Sequence, residues 1–471
     1  MKKSSYLTAL LVAASIGRAG TDQLLAAPAK AAARPATAKT TKTVKSVKSV
    51  SSVSDVVTAA NAFIATLTTA QQATLLQTYN ATNVVKWSNL PCGSSCRLGL
   101  QFTNLSQAQV TAALAVVRAA TGTVANDGFD ETQQIRSADD NLGTQRSGYS
   151  AGIYFIAFLG TPSTTGTWML QFGGHHLATN VTFGNGLFTG PTPKFEGVEP
   201  LSFTGTANAA YGTTAGTFTP MGNEASAMTA LVNGLTTAHK ASAKLTQTFS
   251  DVVLGPGTDG QFPTTRVGIQ CSQLTTAEQQ LVINAMYPWV QDADDATAAF
   301  LMGKYTDALA STYISYSGTG NFTTNADYAR IDGPNVWIEF VAQTGVVYNT
   351  QTHFHSIWRD RARDYGGNFY GTVGGNGVFT TALGTKATTA GSVFSVYPNP
   401  TAEGSAWQIQ LIQPSITGTY TLRNSLGQTV KTSTFYGGSA VIPTEGLASG
   451  MYTVTVDTPT QLPTTTKVQL N

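Results

Sequence analysis

The chain has 471 residues; 42% of them are hydrophobic, only 11% are charged, and the formal net charge is +2. This composition excludes a disordered acidic chain and a strongly basic nucleic-acid-binding protein, because neither would be so apolar and so nearly neutral. The length allows two or three domains.

The N-terminal 52 residues predict an export signal and a tether. Residues 1–27 join Lys2 and Lys3 to a short apolar run from Tyr6 to Ile16, and they predict a signal peptide, since the run is well below the ~20 residues of a membrane span. Residues 28–52 are low in complexity and predict a flexible linker. No later stretch is apolar enough to cross a bilayer, so we expect a protein without a transmembrane segment, secreted or attached to the outer cell surface.

The spacing of apolar residues from position 53 onward alternates between the helical and the strand period. Helices are predicted over residues 55–79, 107–120, 127–142, 224–253 and 275–316. Strands are predicted over residues 154–159, 168–177, 181–183 and 186–188, and again from Tyr328. The fold class predicted for residues 53–385 is therefore α+β, with helical layers followed by antiparallel sheets.

Short blocks recur at a nearly constant spacing and predict an internal duplication, with halves of about 53–222 and 223–385. The matched pairs are Leu67–Ala70 with Leu235–Ala238, Arg97–Gln101 with Arg266–Gln270, and Met169–Phe172 with Trp337–Phe340. Their offsets are 168, 169 and 168 residues. The alternative is that any protein in which helices precede strands gives weak matches with itself.

Three cysteines are present. Cys92 and Cys96 flank a Gly/Ser turn, and in an exported protein this spacing favours a local disulfide over half of a metal site. Cys271 lies in a strand-like segment and is predicted to be a buried free thiol.

Residues 393–471 contain evenly spaced short strands separated by turns, and they predict a small β-sandwich. Four segments of this tail stand out: Tyr397–Pro400, Leu422–Gln428, Leu447–Tyr452 and Lys467–Leu470. In their order and spacing they resemble the C-terminal sorting domain of type IX secretion cargo. The resemblance implies the type IX secretion machinery of a Bacteroidota-type bacterium as a partner, with release or surface attachment after export.

Four of the five histidines lie in two clusters, which are His175 with His176 and His353 with His355. The second pair is spaced i and i+2, so both rings point to one face of a strand and suit a transition metal. The first pair is adjacent, so a regular strand turns the two rings to opposite faces. A bulge at Gly173-Gly174 is the alternative that turns both inward.

The predicted repeat adds a carboxylate to the histidines. His175 would share a strand face with Gln171, which the repeat matches to Glu339, so we expect His175 in the site ahead of His176. Glu339 is expected to act as a metal ligand or as a general base. With His175, His353 and His355 it makes a set that suits one divalent transition metal, zinc first, with iron, manganese or copper as alternatives.

Two charged residues follow the second histidine cluster. Arg359 is expected to hold an anionic substrate or to pair with Asp360, and Asp360 to orient the histidine rings. Two other motifs give only weak evidence of a functional site. Gly148–Gly152 matches a nucleophile elbow but lacks the strand before it and the helix after it, so a plain turn is expected. Asp292–Asp295 lacks the spacing of a calcium loop and is expected to cap or solvate a helix.

One set of residues between positions 55 and 380 is typical of a known family: Trp168, Gln171–Leu177, Asn180, Phe195–Gly197, Pro200, Gly333–Pro334, Ile338–Phe340, His353–Asp360 and Asp364–Gly366. Through these residues the region resembles the bacterial family called domain of unknown function 3500. The resemblance implies membership without an activity, because the family is uncharacterised. A mechanism has to come from the residues themselves.

The leading hypothesis is a secreted metal-dependent enzyme of hydrolase type, with water activated by a metal at the His/Glu site and a small-molecule substrate that the sequence does not identify. A second hypothesis is a non-catalytic cell-surface protein that binds a small ligand or a glycan in a cleft of aromatic and histidine side chains. A third is a structural surface protein in which the histidines belong to hydrogen-bonded core networks.

Overall fold

The computed structural model describes residues 52–369, 394–411, 418–424, 428–435, 439–458 and 461–471. The predicted signal peptide and almost all of the predicted linker lie outside these residues. Helices and strands both occur before residue 370, which confirms the α+β class.

The helices lie in two groups, one before and one after the first set of strands. Their bounds are α1 Val53–Ala65, α2 Thr69–Leu75, α3 Ala81–Val84, α4 Gln107–Ala120, α5 Gly128–Gln145, α6 Gly222–Gly234, α7 Thr237–Ala243, α8 Thr276–Val290 and α9 Asp295–Asp307.

The strands follow each helical group and also make up the C-terminal region. Up to residue 369 they are β1 Leu76–Gln77, β2 Leu100–Gln101, β3 Phe155–Leu159, β4 Trp168–Gly174, β5 Leu177–Gly184, β6 Leu187–Gly190, β7 Lys194–Val198, β8 Phe203–Gly205, β9 Gly216–Phe218, β10 Ile269–Gln270, β11 Tyr313–Ser317, β12 Tyr328–Asp332, β13 Val336–Thr344 and β14 Thr352–Asp360. Beyond residue 393 they are β15 Phe394–Tyr397, β16 Ala406–Leu411, β17 Gly418–Arg423, β18 Thr429–Phe435, β19 Ser439–Pro443, β20 Gly450–Thr458 and β21 Gln461–Leu470.

Helix starts follow local capping chemistry. Ser106 and Gln109 form a capping box at the start of α4, which begins and ends where the sequence predicts. Thr68 makes the same box with Gln71 and starts a new helix, so the predicted helix over 55–79 is two helices, α1 and α2. Side-chain oxygens at these positions satisfy backbone N–H groups that the first turn leaves free.

Two predicted helices are too long. The segment 224–253 is helical only as far as Ala243, in α6 and α7. The segment 275–316 breaks between α8 and α9, where Asp294 caps the second helix, and its last residues belong to strand β11. Apolar spacing alone does not show these ends, because buried loop and strand residues carry the same apolar character as a helix face.

One large sheet connects the strands before residue 370. Its order is β1-β3-β4-β5-β7-β14-β13-β12-β11-β10, with β2 paired to β3 and β6 paired to β5. Neighbours are antiparallel, except that β1 runs parallel to β3. Strands β7 and β14 pair at its centre, and they join the strands before residue 200 to those after residue 265.

Helices cover one face of this sheet and long loops cover the other. On the helix face, Phe172 of β4 is in a core cluster with residues of α1 and α4, and Phe340 of β13 is in a second one with residues of α6, α8 and α9. On the loop face, Phe195 and Ile357 are in a cluster with Trp87 of the segment 85–99. Because both faces are covered, strands such as β4 and β7 are buried along their whole length.

The C-terminal region is β-rich, as the sequence predicts. It contains one sheet in the order β15-β16-β19 and another in the order β18-β17-β20-β21. Trp407 of the first sheet and Leu422 and Val454 of the second belong to one buried cluster. The alternation of buried and exposed residues along β16 and β17 is typical of strands with one covered face.

The cysteine predictions are confirmed. Cys92 and Cys96 form a disulfide across four residues of sequence, and Cys271 is a buried free thiol in the core beneath α8.

Candidate metal centre

His175 and His176 form the turn between β4 and β5, instead of extending one strand as predicted. The strands pair without a bulge up to Gly174, whose partner is Leu177. His176 adopts the left-handed region with φ 60°. The direction of both rings therefore follows from a two-residue turn, and the alternation rule of a strand does not apply.

The second pair behaves as predicted. His353 and His355 occupy alternate positions of β14 and share a face, and their ring centroids are 4.8 Å apart. β14 lies beside β7, which in turn lies beside β5, so the sheet brings the start of β14 to the β4–β5 turn.

The four rings form one contiguous group. The centroid of His176 lies 3.7 Å from that of His175, 5.5 Å from that of His353 and 5.1 Å from that of His355. All four residues are almost buried, with exposures of 7%, 4%, 2% and 6% in chain order. The two histidine motifs thus meet, as the sequence predicts, although 178 residues separate their first members.

His176, not His175, completes a three-histidine set. Ring nitrogens of His176, His353 and His355 all lie within 4.8 Å of one another. His175 belongs to a second group, with His176 and Asp139, that meets the same limit. His175, which the sequence ranks above His176, lies beside the three-histidine set, because the turn directs the ring of His176 toward β14.

Two ring nitrogens of this set have no hydrogen-bond partner among the described residues. They are Nδ1 of His353 and Nε2 of His355, and both are buried. A buried polar atom without a partner costs about 1–3 kcal/mol, so such atoms call for a ligand. Lone pairs of neutral imidazoles are the donors that a borderline transition metal requires.

Burial keeps the rings of His353 and His176 neutral. Burial, together with the neighbouring His355, lowers the pKa of His353 to about 3. Burial and the three surrounding histidines hold the pKa of His176 well below its usual value. At neutral pH, protons therefore do not compete with a cation for the lone pairs of these two rings.

Asp139, a residue that the sequence did not single out, fixes the ring of His175. Its Oδ1 lies 2.7 Å from His175 Nδ1, and the Tyr154 hydroxyl donates to its Oδ2 at 2.8 Å. Burial raises the pKa of Asp139, although its contact with His175 acts in the opposite direction. Asp139 lies on α5, so only the packing of that helix on the sheet reveals the pair.

Asp251 makes the equivalent contact with the second motif. Its Oδ1 lies 3.0 Å from His355 Nδ1. Burial raises the pKa of Asp251, but the hydrogen bond from His355 and further local bonds leave it below the ordinary value. An ionised carboxylate only accepts, so Nδ1 of His355 donates to Asp251. The same nitrogen lies 3.1 Å from Nε2 of Gln343, and Nε2 of His355 has no partner among the described residues.

Gly197 makes room for the rings. A Cβ at this position would meet Cδ2 of His355 at 2.9 Å and Cδ2 of His176 at 3.1 Å. Its backbone N–H also donates to the carbonyl of His176 at 2.7 Å. The glycine in the Phe195–Gly197 motif therefore allows the two halves of the histidine group to approach.

The segment around the Cys92–Cys96 disulfide forms hydrogen bonds with the backbone of the histidine turn. The carbonyl of Asn89 accepts the backbone N–H of His176 at 2.9 Å. Arg97, next to Cys96, donates to the carbonyl of Gly174 and to those of Ser88 and Leu90. These bonds fix the backbone on both sides of the turn.

Glu339 is not brought into the histidine group. Its carboxylate is fully buried and accepts four hydrogen bonds, from the backbone N–H groups of Val253 and Leu254, the hydroxyl of Tyr328 and the indole of Trp337. These donors occupy both oxygens, and they attach the loop 245–268 to β13. The predicted role of Glu339 as ligand or base is therefore not what its contacts support.

Arg359 is also engaged away from the histidines. It is fully buried, and it pairs with Asp364 at 2.9 Å and with Asp259 at 3.1 Å. Its remaining N–H groups donate to the carbonyls of Leu254 and Gly255. Arg359 therefore stabilises the loops packed on this face of the sheet, and its guanidinium is not available to bind a substrate.

Asp360 lies on the opposite face of β14 from Arg359. It accepts the hydroxyl of Tyr305 at 2.7 Å and the backbone N–H of Ala362 at 2.8 Å. These partners face α9 and the end of β14, so Asp360 does not orient the histidine rings. That task belongs to Asp139 and Asp251, which the sequence prediction missed because they come from a distant helix and a loop.

Two family profiles match the chain. Residues 49–367 match the family described as a protein of unknown function, DUF3500. Residues 395–471 match the secretion system C-terminal sorting domain. The sorting domain makes this a secreted or cell-surface protein that is exported by the type IX machinery. Within the described ranges, no helix has both the length and the apolar character to cross a membrane.

No curated protein matches the chain. Among solved structures, a DUF3244-family protein with an immunoglobulin-like β-sandwich from Bacteroides vulgatus is 12% identical, with a TM-score of 0.15, over 17% of this chain and 84% of that one. PorZ, a surface component of the type IX secretion system of Porphyromonas gingivalis, is 11% identical, with a TM-score of 0.16, over 29% of this chain and 15% of that one. At these TM-scores neither likeness bears on the fold of this chain.

Proposed function

The chain belongs to the DUF3500 family of proteins of unknown function, and we propose that its family domain is a metal-dependent enzyme of hydrolase type. The proposed ligands are His176, His353 and His355. One observation carries the proposal: three buried histidines converge within 4.8 Å, and two of their ring nitrogens have no partner among the residues that the structure describes. Zinc is the first candidate, because three imidazoles suit it and leave a coordination position open.

The chemistry of such a centre follows from its ligands. When bound, a zinc-type ion polarises a carbonyl or phosphoryl oxygen and lowers the pKa of a coordinated water. Asp251 contacts Nδ1 of His355, and Asp139 fixes the orientation of His175 beside the three ligands. The ring of Tyr149 packs against His175, with the two ring centroids 4.8 Å apart.

The proposed internal duplication gains support from the strand register, with one change. Gln171 is paired with Asn180 across β4 and β5, and Arg330 is paired with Glu339 across β12 and β13. If β3-β4-β5-β7 corresponds to β11-β12-β13-β14, Glu339 is the counterpart of Asn180. The sequence match of Gln171 to Glu339 is then displaced by one strand, which explains why Glu339 lies away from the histidines.

The alternative function, binding of a small ligand or a glycan at the cell surface, has weaker support. A glycan site needs an open cleft with exposed aromatic side chains. The four histidines are at most 7% exposed, and the partnerless nitrogens lie inside the group. This arrangement favours a small cation, rather than a sugar, as the group in direct contact with the rings; a hydrolase would bring its substrate to that cation.

Elemental analysis of the full-length protein tests the metal centre. Protein purified without chelator from medium supplemented with zinc, iron and copper is expected to contain one equivalent of one of these metals. His353→Ala and His176→Ala are expected to lose it. His239→Ala is the matched control, because His239 contacts Glu278 on a different part of the domain and should leave the content unchanged.

Metal-free wild-type protein, or equal metal content in all variants, would contradict the metal centre. The hydrolase assignment has its own test, which uses chromogenic esters, phosphoesters and glycosides as substrates. Turnover that a chelator abolishes and that His353→Ala lacks supports it. A fully loaded protein that hydrolyses none of them retains the metal centre and refutes the hydrolase.

A further inference from the structure

A second group of buried ligand-type side chains lies on the helix face of the sheet. Its members are Glu131 of α5, Glu196 of β7, Glu224 of α6 and Asp292 between α8 and α9. Their exposures are 0%, 1%, 0% and 2% in chain order. They come from four separate parts of the chain, and their carboxylate oxygens lie within 4.8 Å of one another.

One cation is already present, and it is insufficient. Lys194 Nζ lies 2.7 Å from Glu196 and 2.8 Å from Asp292. Lys194 also lies close enough to lower the pKa of Glu131, but among the described residues neither Glu131 nor Glu224 forms an ion pair of its own. Burial of an uncompensated carboxylate is very costly, so such a group has to gain either protons or a further cation.

Glu224 gives an independent indication of a missing ligand. It is fully buried, and neither of its carboxylate oxygens has a hydrogen-bond partner within the part of the chain that the structure describes. Glu131 has one such oxygen. Its Oε1 accepts the backbone N–H of Met221 at 2.7 Å, whereas its Oε2 has no hydrogen-bond partner among the described residues. Both side chains point into the group and away from water.

Burial, followed by repulsion from neighbouring carboxylates, raises the pKa of Glu131, Glu224 and Asp292. A bound cation would remove that repulsion. The geometry suits one, because oxygens at about 2.3–2.6 Å from a calcium ion are at most about 5 Å from each other, and the group meets this limit.

We propose that Glu131, Glu196, Glu224 and Asp292 bind one hard divalent cation, calcium or manganese(II). A purely oxygen ligand set selects such ions over zinc. Lys194 remains paired with Glu196 and Asp292, since each carboxylate has lone pairs for both partners. This site is separate from the histidine group and does not require a metal there.

The two sites lie back to back on β7. Glu196 faces the carboxylate group, and the next residue, Gly197, faces the histidine rings. Helix α5 also serves both, because Glu131 and Asp139 are eight residues, about 12 Å, apart along it. A cation in the carboxylate site would fix α5 against β7 and thereby hold Asp139 at His175.

The test is elemental analysis of full-length protein produced with calcium and manganese in the medium and gel-filtered without chelator. The expected result is one equivalent of calcium or manganese in the wild type and in His353→Ala, and none in Glu224→Gln. The matched control is Glu199→Gln. Glu199 is equally buried, but it accepts two backbone N–H groups, from Val347 and Tyr348, and lies outside the group.

Wild-type protein that holds neither ion overturns the proposal and leaves a proton-sharing carboxylate group. Wild-type content in Glu224→Gln overturns it as well. If Glu224→Gln does not fold, the wild-type measurement still decides, supported by thermal unfolding of the wild type. Its melting temperature should be higher when the protein has been produced with the cations, and an unchanged melting temperature counts against the site.

Discussion

Replacement of Glu339 by glutamine separates a structural role from a role as metal ligand. Oε1 of Glu339 accepts Leu254 N at 2.8 Å and Trp337 Nε1 at 2.6 Å, and Oε2 accepts Val253 N at 2.6 Å and the Tyr328 hydroxyl at 2.7 Å. Glutamine keeps one acceptor oxygen and turns an amide NH2 toward the other two donors.

The expected loss of stability follows from the two donors that glutamine leaves without an acceptor. Hydrogen bonds to a charged group contribute about 1.5–3 kcal/mol each, so loss of two costs about 3–6 kcal/mol. Removal of a buried charge offsets a part, because burial raises the pKa of Glu339. We expect Glu339→Gln to lower the free energy of unfolding by about 3 kcal/mol.

The assay is denaturant unfolding of full-length protein, combined with elemental analysis of the folded variant. Loss of stability with an unchanged transition-metal content is the expected result. Wild-type stability with loss of the metal would refute the reasoning, and it would restore Glu339 to the ligand set. Glu199→Gln serves as a control for the general cost of a buried Glu→Gln change.

Three further variants test other parts of the argument. Gly197→Ala should lower the transition-metal content, because its Cβ would meet the rings of His176 and His355; a fully loaded variant would contradict this packing. Glu278 is nearly buried, which raises its pKa, but hydrogen bonds from Thr236 and Thr275 outweigh this and lower the pKa from 4.5 to about 2. Its contribution to stability is present above pH 4.5 and is lost as the pH falls toward 2, so Glu278→Gln should flatten the dependence of the free energy of unfolding on pH in that range. Arg97→Ala leaves three carbonyls without their charged donor, so thermal unfolding should show that the free energy of unfolding falls by about 3 kcal/mol. An unchanged midpoint would contradict the role of Arg97 in holding the histidine turn.

The sequence was sufficient wherever a local rule decides the structure. The i, i+2 spacing of His353 and His355 determines that both rings share a face of β14. The Ser106–Gln109 capping box marks the start of α4, and the short spacing of Cys92 and Cys96 permits their disulfide. The motifs of the tail were sufficient for the sorting domain.

The sequence did not predict which distant segments come into contact. His175 and His176 were judged by strand alternation, whereas a turn orients them, with His176 at a positive φ. Glu339 was predicted to be a ligand because the sequence repeat matches it to Gln171. In the structure, its carboxylate instead accepts four hydrogen bonds from donors in a loop, β12 and β13. No local pattern distinguishes a carboxylate that binds a metal from one that holds a loop.

The sequence by itself determined the export route, the α+β class and the two histidine motifs. Only the tertiary structure decided which residues form each site, since the packing of α5 brings Asp139 to His175 and Glu131 to Glu196. The physical reason is that a site depends on where side chains meet across the sheet, and pairing of β7 with β14 fixes that meeting point over a separation of more than 150 residues.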